Sequence, residues 1–198
     1  DPLHEGGQRK CAAAGTVAGL HARFDRLDGP WKAAAGVDAR LNGVRGLTKR
    51  FTDTEQEILN PAGVNLLREF PQHEFVAWSA RTLAVAEEWK YVPVRRLANF
   101  IERSLQQSLQ WAVFEPNGGP LWARLRSSVG EFLHALFKRG AFAGSTAREA
   151  YFVKCDASTT TQAGLDQGNC LIEIGFAPLK SAEFVILRVG VKTQPPSA

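Results

Sequence analysis

The chain of 198 residues has no methionine, and it has only three cysteines, two tyrosines and four histidines. Cys11, Cys155 and Cys170 form neither a CxxC pair nor a Cys/His cluster of zinc spacing, which excludes a disulfide framework and a zinc module and leads us to expect a reducing compartment. No run of about 18 apolar residues occurs, and Asp1 to Lys10 is polar instead of carrying a secretory apolar core, so no membrane insertion is expected. A strong excess of charge of one sign is lacking too. Lys and Arg total 24 against 20 Asp and Glu, and a net charge of +4 is far from the dense positive field of a dedicated DNA binder. What is present is 44% hydrophobic residues over a length that supports one large core or two small ones, which excludes disorder. The missing methionine and the start at Asp1 give the expectation of a piece of something longer.

Periodicity supplies the elements. Val17, Leu20, Phe24 and Leu27 recur at helical spacing until Asp28, Gly29 and Pro30 stop them. Thr52 and Glu55 have the spacing of a capping box ahead of a brief helix. Short apolar stretches at Val64 to Phe70 and Phe75 to Trp78 predict two strands with a turn between them. Pro93 precedes Leu97, Phe100, Ile101, Leu105 and Leu109, one stripe on a helix of about four turns. Trp111 to Phe114 reads as a strand. Pro120 then opens a second helix with Leu121, Leu125, Val129, Phe132, Leu133 and Leu136 on its buried face and Gly140 at its end. Thr146 and Glu149 repeat the capping pattern, Tyr151 to Cys155 reads as a strand, and Asp156 to Asn169 as a long loop. Cys170 to Phe176 and Glu183 to Lys192 alternate as a closing hairpin. These elements define an α+β fold, a mixed α/β layer with helices packed on a mixed β-sheet.

Signatures of chemistry are sparse. Gly43 to Gly46 lacks the dinucleotide spacing, and Gly118 and Gly119 lack the Lys and Ser/Thr of a phosphate loop. His4, His21, His73 and His134 are scattered, and neither Glu55 with Glu57 nor Glu87 with Glu88 shares a helix face. No GxSxG elbow occurs, and nothing places a base beside Cys155. The expectation is therefore no catalytic site, no cofactor, no metal and no small-molecule ligand. An enzyme of unrecognised class stays open on the length of the Asp156 to Asn169 loop alone. Binding features are fuller. Arg95, Arg96, Arg103, Arg124, Arg126, Lys138 and Arg139 can form a basic surface for an acidic partner. With Trp78, Trp89, Tyr91, Trp111 and Trp122 nearby, a nucleic-acid-binding module is the alternative reading. The strand Phe184 to Lys192 can stay at home as an edge or add to a neighbour's sheet.

Asn60 to Pro71 (NPAGVNLLREFP), Trp78 to Leu83 (WSARTL), Glu88 to Leu97 (EWKYVPVRRL), Trp111 to Trp122 (WAVFEPNGGPLW), Gly140 to Asp156 (GAFAGSTAREAYFVKCD) and Gly175 to Val185 (GFAPLKSAEFV) together resemble the C-terminal half of contractile phage tail sheath proteins and of sheaths from phage-like contractile injection particles. The resemblance runs from about Gly15 to Val191 and rests on the order of the segments. It implies a structural subunit that polymerises as hexameric rings around an inner tube and contracts to drive that tube through a target cell envelope. Its partners would be neighbouring sheath subunits, the inner tail tube protein and the baseplate. Its place would be a phage tail or phage-like particle assembled in the bacterial host cytoplasm.

The resemblance also implies strand exchange between subunits, here by Phe184, Val185, Ile186, Leu187, Arg188, Val189 and Val191, and a tube contact partly through charge. The seven basic residues above become candidates for that contact. Residues 1–50 would be a linker and remnant of the preceding sheath domain, and 51–198 the sheath C-terminal domain. The family's large N-terminal region is little represented, Ser79 stands where a glycine is expected, and Gly118 and Gly119 stand where acidic residues are common.

Overall fold

A computed structural model of the chain describes residues 10–179 and 185–193. Helix α1 (Ala13–Leu27) begins earlier than its apolar stripe, because the alanines ahead of Val17 are strong helix formers that need no buried face. It buries Leu20 and Phe24. Its end is closed by Asp28 and Gly29, whose amides both donate to the Phe24 carbonyl, at 2.8 and 3.1 Å. Gly29 sits at φ 110° with the Trp31 ring where a Cβ would be, 2.5 Å away, so only glycine fits the turn. Helix α2 (Asp53–Leu59) carries the expected capping box, with Thr52 accepting from the Glu55 amide and Glu55 accepting from the Thr52 amide.

Strands β1 (Leu67–Phe70) and β2 (Glu74–Ala77) form an antiparallel hairpin, with Leu67 facing Ala77 and Phe70 facing Glu74. Strand β1 is shorter than the apolar stretch Val64 to Phe70 suggests, and β2 has the expected length, shifted by one residue. Arg40 bridges to Val76 beyond the hairpin, so the segment after Trp31 is laid along β2. This hairpin, α1 and that segment enclose a small core of Leu20, Phe24, Ala34, Ala39, Leu41 and Ala77, drawn from both sides of residue 50.

The larger core lies between helices α3 (Val92–Ser108) and α4 (Gly119–Lys138) and a second sheet. Pro93 and Pro120 occupy the first turns of these helices, where a missing amide costs nothing. Leu97, Ile101 and Leu105 from α3 and Leu125, Val129 and Leu133 from α4 are all at most 1% exposed. Full burial of each such side chain contributes about 1.5–3 kcal/mol. The expected strand at Trp111 to Phe114 is instead a 3-10 helix, Gln110–Phe114. Its buried anchors Leu109 and Ala112 are three apart, the Ala112 amide donates to the Leu109 carbonyl at 3.0 Å, and Phe114 is 78% exposed, so alternation has no sheet to satisfy.

After the short α5 (Ala147–Ala150), capped by Thr146, come β3 (Tyr151–Lys154), α6 (Gln162–Asp166), β4 (Asn169–Phe176) and β5 (Val185–Lys192). Helix α6 lies inside what reads as a loop, capped by Thr161, which accepts from the Gly164 amide. The sheet order is β3-β4-β5, antiparallel throughout. The α+β class therefore holds, with the sheet antiparallel rather than mixed: the connection from β3 to β4 carries α6 but returns the chain antiparallel beside β3, and β5 runs back antiparallel on β4. Helix α4 packs against β3 and α3 against β5, covering one face. That face buries Cys170, Ile172, Ile174 and Phe176 of β4 with Val189 and Val191 of β5. The opposite face carries Phe152, Glu173, Ile186 and Arg188, with Phe152 laid over Gly175.

Candidate assembly interface

Strand β5 is paired at home. Its register runs from Asn169 facing Lys192 to Phe176 facing Val185, and β5 ends the strand order. The proposed exchange residues are thus split by the two-residue period. Val189 and Val191 are buried in the larger core and Leu187 packs against it, whereas Ile186 is 50% exposed on the open face. Arg188, on that open face, pairs with Glu173 at 3.2 Å. Phe184 lies outside the described residues.

Most of the basic residues have partners within the fold. Arg96 makes a bidentate pair with Asp25 of α1, at 2.7 and 2.5 Å, tying α1 to α3 across 71 residues of sequence. Arg124 pairs with Glu115 at 2.9 Å and lies 4.4 Å over the Trp111 ring. Arg126 donates to the Cys155 carbonyl. Arg95 lies over Trp89 and Arg139 over Trp31, at 4.8 and 5.0 Å. Arg103 and Lys138 are exposed. Arg96, Arg103 and Arg139 line one open cleft of about 600 Å³ with Asp25, Trp31 and Phe100, so this is where positive charge gathers.

The aromatics proposed for base stacking are engaged as well. Arg81 lies over Tyr91, Trp78 packs against Phe70 in a tilted pair with centroids 4.4 Å apart, and the Trp122 indole donates to Asn117 at 2.9 Å. Guanidinium groups cover Trp89 and Trp111, which removes those faces from any base. Among the described residues no group of three or more His, Cys, Asp or Glu side chains is placed to hold a metal, and no helix is long and apolar enough to cross a membrane.

The Asp25–Arg96 pair has a titratable neighbour, His21, whose Nδ1 is 3.5 Å from the Arg96 guanidinium. Burial and the Arg96 charge push this imidazole below its ordinary pKa, against a smaller opposing pull from Asp25. The Arg96 hydrogen bonds hold the Asp25 carboxyl below the usual carboxylate range. For His21 the unfolded chain takes up a proton that the folded one resists, so stability falls as the pH drops through about 6.5. The Asp25 contribution is present above its unfolded pKa and is lost only in stronger acid. Thermal melts should therefore show Tm declining between about pH 7 and pH 5, with a shallower decline in His21→Gln. Equal slopes for the two chains would remove His21 from this account.

Sequence reasoning missed one surface. Leu83 is 83% and Val85 98% exposed, yet the segment carrying them is held firmly. Asn65 accepts from the Arg81 amide and donates to its carbonyl, the Thr82 hydroxyl donates to the Trp89 carbonyl at 2.6 Å, and the Ala84 amide donates to that hydroxyl. Two large apolar side chains thus stand in water on a segment tied down at Arg81, Thr82 and Ala84. The signal was the apolar run Leu83 to Ala86 between Thr82 and the acidic pair Glu87 and Glu88. Near it, the hydroxyl of Ser79, where a glycine was expected, is enclosed with no hydrogen-bond partner among the described residues.

An antiparallel sheet covered on one face by two long helices is also found in contractile sheath structures. The structure matches the helical sheath of the anti-feeding prophage in its contracted state with a TM-score of 0.77 and 40% identity, over 88% of this chain and 49% of that one. It matches the sheath complex of an extracellular contractile injection system, PVC, with a TM-score of 0.77 and 38% identity, over 86% and 48%. The tail sheath protein of Vibrio phage KVP40 is 24% identical over 88% of this chain and 25% of its own length. Residues 84–192 match the family described as the phage tail sheath C-terminal domain. The chain belongs to that family. It spans about half the length of the structural relatives and a quarter of the phage protein.

Proposed function

We propose that the chain is the C-terminal portion of a contractile sheath subunit, which polymerises as hexameric rings around an inner tube and contracts to drive the tube through a target cell envelope. The observation that carries this reading is the 38–40% identity to sheath structures over nearly the whole chain. In this reading the chain is structural and performs no catalysis, and its partners are neighbouring subunits, the tube protein and the baseplate, in a particle assembled in the host cytoplasm. Residues 51–198 form most of the sheath domain, and 1–50 lead to it from the preceding one while packing onto it through Leu20, Phe24, Ala34, Ala39 and Leu41. Linkage between rings uses the β5 region, Phe184 to Val191. The tube contact draws on Arg103 and Arg139 of the cleft more than on Arg96, Arg124 and Arg126, whose guanidinium groups already have hydrogen-bond partners within the fold.

Leu83 and Val85 supply a further contact, to a second copy. Their exposure costs the isolated chain apolar hydration that a neighbour in a ring would relieve. The double substitution Leu83→Asp with Val85→Asp, made in the subunit that carries this chain, should leave Tm within about 2 °C, as ordinary surface changes do. It should nevertheless prevent assembly as judged by sedimentation. Normal assembly of that variant would take the segment out of the interface.

A further inference from the structure

The larger core holds two reactive side chains that the assembly reading does not use. Cys155, just past β3, and Cys170, in β4, are both 0% exposed, and their sulfurs lie 3.6 Å apart. Lys154 faces Glu173 in the register, so Cys155 falls beside Ile172 and one diagonal step from Cys170 on the inner face. The backbone around each sulfur is anchored. Arg126 of α4 donates to the Cys155 carbonyl, and the Asp156 amide donates to the Thr159 hydroxyl at 3.0 Å. On the other strand, the Leu171 amide donates to the Thr160 hydroxyl at 3.2 Å, and Asn117 donates to the Asn169 carbonyl at 3.0 Å. Rotation of both side chains, with the small approach of the strand ends that a diagonal pair needs, brings the sulfurs to a bonded separation of about 2.05 Å.

We propose that Cys155 and Cys170 are a redox modification site, a buried dithiol that closes to an intramolecular disulfide when the particle meets an oxidising solution. Cys170 is the thiol that ionises first, because the Cys155 S–H and the Thr160 hydroxyl stabilise its thiolate, while Cys170 and burial hold Cys155 protonated. The Cys170 thiolate attacks one sulfur of a small-molecule disulfide and expels the first thiolate, which takes up the proton that Cys170 released. Cys155, giving up its own proton, then attacks the Cys170 sulfur of the mixed disulfide and expels the second thiolate, which receives that proton. Two cysteine thiols are oxidised to one disulfide and the reagent is reduced to two thiols. Burial makes the reaction slow, since the reagent enters only when the segment from Asp156 to Gly168 opens. Closure ties that segment down and resists further opening.

The test uses the chain as it is, incubated folded with oxidised glutathione well below Tm, then alkylated, digested without reductant and weighed. Exposed Cys11 is the internal control, since it reports that the reagent reacted. The expected result is a linked Cys155–Cys170 peptide, two hydrogens lighter than its parts, in most molecules, together with a Tm raised by about 5 °C or more. Cys155→Ser should abolish both changes. Free Cys155 and Cys170 beside fully modified Cys11, or separate glutathione adducts on the two core cysteines, would overturn the proposal.

Discussion

A chain ending at residue 184 should lose its larger core outright. Deleting β5 removes buried Val189 and Val191 at about 1.5–3 kcal/mol each. It also removes the cover that Leu187 gives and a ladder of backbone bonds worth about 0.5–1.5 kcal/mol apiece. That sum reaches the whole stability of an ordinary domain, about 5–15 kcal/mol. Denaturant unfolding followed by tryptophan fluorescence should therefore lose its cooperative transition. A truncated chain that still melts near the parent Tm would mean that β5 contributes little at home. Truncation consequently cannot isolate strand exchange, but locking the hairpin can. Leu171 and Gly190 face one another across β4 and β5, so Leu171→Cys with Gly190→Cys allows a cross-strand bond that retains β5. If exchange of β5 links rings, oxidised subunits should fail to assemble until reduced; normal assembly while locked would leave β5 at home in the particle.

The second large effect concerns the open face of the same sheet. Gly175→Val should lower Tm by about 3–10 °C, because a Cβ there would lie 2.0 Å from the Phe152 ring, and overpacking of this kind costs about 1–3 kcal/mol. Adding Phe152→Ala should restore much of the loss, since it removes the ring that the valine strikes. Calorimetry on the two single variants and the double variant measures the coupling. Additive losses would show that the ring moves aside freely and that the glycine is not required by this contact.

The long helices were legible because each combines an apolar stripe with a proline in its first turn, and α4 adds Gly140 at its end. The closing hairpin was legible because one face is buried and the two-residue period shows it. The segment at Gln110–Phe114 was not, since a run of five residues carries too little period to separate a strand from a tight helix. Helix α6 lacks any buried residue, so it left no pattern. The interface was harder still. Asp25 meets Arg96 across 71 residues, and Arg139 lies over Trp31, which is far from it in sequence, so which cations remain available depends on packing and not on composition. Sequence alone does not show which of the basic residues are already paired. The closeness of Cys155 and Cys170 likewise depends on a register that spacing alone does not supply.

Electron microscopy of the subunit that carries this chain tests the central claim most directly. Assembly as a contractile sheath predicts tubes or striated polysheaths built of sixfold rings, with this domain making contacts between copies. A dispersed monomer under those conditions, above all one that shifts an oligonucleotide on a gel with an affinity falling steeply with salt, would contradict it.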